Sequence, residues 1–122
     1  WGHAFAALDL AVKPAIDELI NSQLAELAKR NGDELLSNLL IALRADSERS
    51  RDWTSALVSY SVERDASLAG LLDGWKADWQ PRAVAACEPL AAMFERAPVP
   101  IAASEVMAAV RAAVDSAGQP RG

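Results

Sequence analysis

Residues 33–63 read DELLSNLLIALRADSERSRDWTSALVSYSVE, with neither proline nor glycine to interrupt them, and so predict one long helix. At about 100° per residue, Leu36, Leu40, Leu43, Thr54, Val58 and Ser61 fall on one narrow stripe, with Leu39, Trp53 and Leu57 along its edge. Glu34, Asn38, Glu48, Asp52 and Glu63 point away from it. At ~1.5 Å per residue the helix is on the order of 45 Å long, more than a compact domain of this size is wide, so other elements must flank it. Ser47 and Ser50 lie in the centre of the stripe expected to be buried, which puts hydroxyls where packing favours leucine.

Working outward, residues 1–30 carry Phe5, Leu8, Val12, Ile16, Leu19, Gln23 and Leu27 at three-or-four spacing, straight through Pro14. That register predicts a single helix kinked at the proline. Asn31-Gly32 supplies a left-handed stop and Asp33 a cap, so the first two helices form an antiparallel hairpin. Beyond Glu63, a short turn capped by Asp65 or Ser67 leads to a third helix with Leu68, Leu71, Leu72, Trp75 and Trp79. Pro81 is expected to bend or interrupt it and Pro89 to bend it again, with Ala83, Ala86, Leu90 and Phe94 as the buried stripe. APVPI at 97–101 ends that helix. A last one over about 104–117 turns Val106, Val110 and Val114 to one side, and 118–122 is expected to be a disordered tail.

The chain has 122 residues, 52% hydrophobic and 24% charged, which fits one domain, here 1–117. Only 6% are aromatic and alanine fills many apolar positions, favouring closely packed helices over sheet. The expected class is therefore all-α. A net charge of −5 with scattered Lys and Arg argues against a nucleic-acid surface. No uncharged apolar stretch of ~18 residues spans a membrane, no basic-then-apolar leader opens the chain, and Cys87 is alone, so the expected address is the cytoplasm. The last helix is about half as long as the others, so the bundle leaves apolar flanks uncovered and calls for a partner. Trp1, Phe5, Trp75 and Trp79 are the candidate interface anchors, because aromatic side chains dominate such contacts.

Chemistry is sparse. No Glu-x-x-His, phosphate-binding glycine loop, nucleophile elbow or Cys-x-x-Cys occurs, and the only histidine is His3. His3 reads as a surface or partner-contacting residue and Cys87 as a small buried hydrophobe. A carboxylate-only metal site from Asp9, Glu26 and Asp46 is the alternative that would make the chain a metalloenzyme.

The opening WGHAFAALDLAVKPAIDEL, then GDELLSNLLIALRADSERSRDW, then LLDGWKADWQPRAVAACEPLAAMF together resemble the carboxy-terminal part of the beta subunit of the hydroxylase component of bacterial multicomponent di-iron monooxygenases. This group includes the toluene, phenol, propane and methane monooxygenases. The resemblance implies a ferritin-like helical bundle fragment, lacking the amino-terminal helices of longer beta subunits. It further implies a non-catalytic scaffold for a larger catalytic alpha subunit. That subunit holds the di-iron centre, activates oxygen and hydroxylates an aromatic ring or alkane with electrons from NADH, under the control of a small effector protein. The chain itself is expected to hold no cofactor. Alpha subunits carry an Asp-Glu-x-Arg-His segment, and the similar run here is Asp46-Ser47-Glu48-Arg49-Ser50, with Ser47 in place of the glutamate ligand and Ser50 in place of the histidine. The implied reading is a degenerate metal site filled with hydroxyls. A reading from another class, a self-associating helical adaptor without enzymatic activity, uses the same uncovered flanks.

Overall fold

The computed structural model describes residues 1–119, all of whose regular elements are helical. The first arm is an unbroken helical run: α1 (Gly2–Ala7), a π-helical segment (Leu8–Val12), α2 (Lys13–Asp17), a second π segment (Glu18–Leu24) and α3 (Ala25–Arg30). Pro14 sits in the first turn of α2, directly after the first π segment, where Lys13 N–H reaches back to the Leu8 carbonyl. The proline ring cannot donate to the carbonyl four residues earlier, Leu10. That oxygen instead accepts from Gln80 Nε2 at 2.8 Å, and the same nitrogen donates to the Val114 carbonyl at 3.1 Å. One amide thereby joins the proline-bearing helix to two others.

The hairpin turn closes as expected. Gly32 has φ 83°, Gly32 N–H donates to Lys29 O and Asp33 N–H to Ala28 O at 2.8 Å, a Schellman stop, and the Asp33 carboxylate accepts from Leu36 N–H at 3.0 Å. The second arm, α4 (Glu34–Arg64), is the long helix of the sequence reading. Asp65 then accepts from both the backbone N–H and the hydroxyl of Ser67, at 3.0 and 2.6 Å. Next come α5 (Ser67–Met93), a 3₁₀ turn (Phe94–Arg96), an extended link and α6 (Ala103–Asp115). Neither Pro81 nor Pro89 interrupts α5, so of the bend or interruption expected at Pro81 the interruption is absent. Both prolines are exposed, as are Ala77 and Ala85, the residues four earlier whose carbonyls the rings leave without a helical donor.

The core lies between the first arm, α5 and α6, where Leu19, Cys87, Val106, Val110 and Val114 are almost wholly buried beside Phe94. Burying one such aliphatic side chain stabilises by ~1.5–3 kcal/mol. A smaller cluster joins Ala6, Leu10, Leu72 and Ala117, with Phe5, Val58, Val62 and Trp75 packed against it. Within 118–122, Gly118 packs on Leu10 and Gln119 N–H donates to Ser116 O; residues 120–122 lie outside those described.

One expected face is kept with an exception and two are rotated. On α4, Leu40 and Thr54 are buried and Leu36, Val58 and Ser61 half-buried, as the stripe predicts, and Ser37 and Ser55 join them inside, whereas Leu43 and the edge residue Trp53 are more than half exposed. On the first arm, Ala6, Leu10, Ala11 and Ala15 are buried while Leu8, Val12 and Ile16 face outward. On α5 the buried set is Ala83, Cys87, Ala91 and Phe94, with Leu90 outside. The cause is the same in the last two cases: alanine and cysteine let the helices approach closely, and the larger aliphatics are left on the far side.

Candidate partner interface and the polar seam

Where α4 crosses the first arm, the contact is polar. Asn21, 7% exposed, donates to Ser47 Oγ at 2.8 Å, and that hydroxyl donates in turn to the Leu43 carbonyl at 3.3 Å, one turn back. Lys13 Nζ donates to Ser50 Oγ at 2.7 Å and lies 3.7 Å from the Asp9 carboxylate. Ser47 and Ser50 are half-buried, and each is met by a nitrogen donor from the opposite helix. Farther along the same face, Arg51 Nε is buried without a hydrogen-bond partner among the described residues. It borders a cavity of about 10 Å³ shared with Asp9, Thr54 and Ser55, which is room for one water.

Two hydroxyls, a carboxamide and an ammonium group make a hydrogen-bonding seam. They do not fit iron, which is held in helical bundles by carboxylates and imidazoles, and an ammonium at the seam repels a cation. The carboxylates proposed for a metal are each paired within their own helix: Asp9 with Lys13, Glu26 with Arg30 at 3.1 Å and Asp46 with Arg49. Among the described residues no group of three His, Cys, Asp or Glu side chains could hold a metal. Cys87 is fully buried and its burial pushes the thiol pKa up, which disfavours the nucleophilic thiolate.

The aromatic candidates gather at the other end of the hairpin. His3 stacks on Trp75, with ring centroids 5.3 Å apart and planes 9° from parallel, and its Nε2 accepts from Trp79 Nε1 at 2.7 Å. Arg82 covers the Trp79 ring at 5.1 Å. Phe5, Trp75 and Trp79 are thus partly engaged inside the chain, and Trp1 alone of the four anchors stands free, at 93% exposure.

The larger apolar surface is one that the anchor list missed. Leu35, Leu39, Leu43, Trp53 and Tyr60 project from the outer face of α4, all more than half exposed, and Leu8, Val12 and Ile16 form a second outward row on the first arm. Their signal was present in the sequence, since Leu39 and Trp53 lay on the edge of the stripe assigned inward. Gln80, Asn21 and Asn31 carried none beyond the carbonyl that Pro14 must leave unpaired. No helix among the described residues is long and apolar enough to cross a membrane.

Comparison with known proteins adds the following. The profile of the methane/phenol/alkene hydroxylase family matches residues 1–65. The hydroxylase component subunit beta of the toluene-4-monooxygenase system of Ectopseudomonas mendocina is 35% identical over 114 residues, covering 93% of this chain and 35% of that protein. The chain therefore spans about a third of the length of the curated relative it matches. No solved structure matches.

Proposed function

Because the chain belongs to the methane/phenol/alkene hydroxylase family, we propose that it works as a non-catalytic scaffold within the hydroxylase component of a multicomponent di-iron monooxygenase. Its work is to hold a larger catalytic subunit that binds the iron pair and hydroxylates an aromatic or alkane substrate with O2 and NADH-derived electrons, while a small effector protein docks on the same assembly. The seam carries this reading. Ser47 and Ser50 stand where the resemblance puts a glutamate and a histidine ligand, and hydrogen bonds from Asn21 and Lys13 occupy them. Such a site strengthens helix pairing but offers nothing to a redox metal. The outward rows on α4 and the first arm, together with Trp1, provide apolar surface of the kind that partners cover.

Purification of the native assembly through a tag on this chain, with light scattering and metal analysis, tests the reading. The expected result is a hetero-oligomer whose iron stays with a larger chain. Stoichiometric iron on this chain alone overturns the scaffold, and a stable homodimer without any larger chain replaces it with the self-associating adaptor.

A further inference from the structure

We propose that the outer face of α4 is a pairing surface for a second copy of this chain, the two helices running antiparallel about a twofold axis between Ser47 and Glu48. A stripe of exposed residues with a period of seven carries the proposal. Leu39, Asp46, Trp53 and Tyr60 are spaced seven apart and all exposed. Leu35, Ala42, Arg49 and Ala56 form a second exposed set, four residues before the first. Steps of four and three therefore alternate along ~38 Å of helix, the spacing with which one helix meets another over a long seam.

The stripe is complementary to itself in one register. About an axis between Ser47 and Glu48, Asp46 of each copy faces Arg49 of the other. The same two residues pair within their own helix, so four charges of alternating sign close a ring at the centre. Outward from that ring, Trp53 falls opposite Ala42 and Leu39 opposite Ala56, a bulky group against a small one in each layer, and Leu35 meets Tyr60 at the ends. Sliding one copy by seven residues sets Arg49 against Leu39 or Trp53 and leaves Asp46 facing an alanine. A parallel pair sets Asp46 against Asp46 and Arg49 against Arg49, like charges that repel. The charged centre costs stability compared with leucine there, but it fixes both direction and register.

The pairing does not need the scaffold reading, and the two fail separately: iron on this chain overturns the scaffold, whereas copy number decides the pairing. Where a larger chain is present it lies against the flank of the pair, so parting the copies removes part of its seat. Two differently tagged copies of the protein, co-expressed in the native host, test the proposal by co-purification, with light scattering giving the copy number. The parent copies are expected to co-purify, two to a particle. Asp46→Arg in both copies, or Arg49→Asp in both, places four like charges at the centre and is expected to weaken self-association about a hundredfold with circular dichroism unchanged. Asp46→Arg in one copy with Arg49→Asp in the other restores the ring, as does the double swap in both, and each combination is expected to recover the pair. Parent copies that do not co-purify overturn the proposal, as does undiminished pairing in either single variant. It is equally overturned if neither the mixed combination nor the double swap recovers the pair.

Discussion

Gln80 shows how much one side chain can hold. Its amide nitrogen satisfies the carbonyl that Pro14 leaves at Leu10 and a carbonyl near the end of α6, so the first π segment, α5 and α6 are pinned at one atom. Gln80→Met keeps the bulk and removes the donor. It is expected to destabilise by ~1–3 kcal/mol, the cost of leaving a buried carbonyl unpaired, measured by urea denaturation. Asp65 makes a pH-dependent contribution at the start of α5. The Ser67 hydroxyl and then its backbone N–H, both donating to the carboxylate, hold its pKa below the ordinary value of 3.8. A carboxylate lowered in the folded state stabilises fully above its unfolded value and loses that contribution as the pH falls through the folded one. Asp65→Asn should therefore be less stable than the parent at neutral pH, with the difference closing below pH 3.8 in denaturation curves taken across the acid range.

Among the elements, two glycines separate backbone cost from packing cost. Gly32 and Gly118 both have positive φ, 83° and 78°, but a Cβ at Gly32 meets open space, whereas one at Gly118 falls 2.9 Å from Leu10 Cδ2. Gly32→Ala should cost ~1–2 kcal/mol from the left-handed backbone alone. Gly118→Ala should cost a further ~1–3 kcal/mol, since Leu10 is itself buried and cannot move aside freely, and thermal unfolding of the pair measures the difference. The ends of the elements were legible in the sequence because turn chemistry is local: Asn31-Gly32-Asp33 and Asp65-Ala66-Ser67 act within a few residues. Their faces were harder to read. On α4 the stripe was legible at Leu36, Leu40, Thr54, Val58 and Ser61, but Leu43 turns outward while Ser37 and Ser55 pack inside, so hydrophobicity alone misplaced those three. Ser47 and Ser50 could be placed toward the neighbouring helix by angle, but their donors, Asn21 and Lys13, follow from the register set by the π segments, which no local pattern announces.

For the molecule as a whole, the outer face of α4 sets the solution behaviour. Leu39 and Trp53 lie close to one line along the helix and touch little of their own chain, at 56% and 60% exposure. The double variant Leu39→Glu/Trp53→Glu should change folding stability by only about 0.5 kcal/mol per site. The same variant should reduce aggregation of the isolated chain and abolish co-purification of the larger subunit, read by light scattering and pull-down from the native host. Retained co-purification would move the interface to the row of Leu8, Val12 and Ile16. Helical class and hairpin were legible at this scale, whereas the uncovered area was underestimated because alanine-lined packing turns the bulky residues outward.

The hairpin and the link before α6 are tied by Asn31, whose amide donates to the Val99 and Leu27 carbonyls while its oxygen accepts from Val99 N–H. Asparagine followed by glycine is prone to spontaneous cyclisation, in which the Gly32 nitrogen attacks the side-chain carbonyl and ammonia departs. Here that side chain is held by Val99 and Leu27, and the Gly32 nitrogen already donates to Lys29 O. The folded state thus shields its own weakest covalent link. Once that shield opens and aspartate forms, the new carboxylate faces two carbonyl oxygens, so each damaged molecule holds the latch less firmly and ages out of the population sooner.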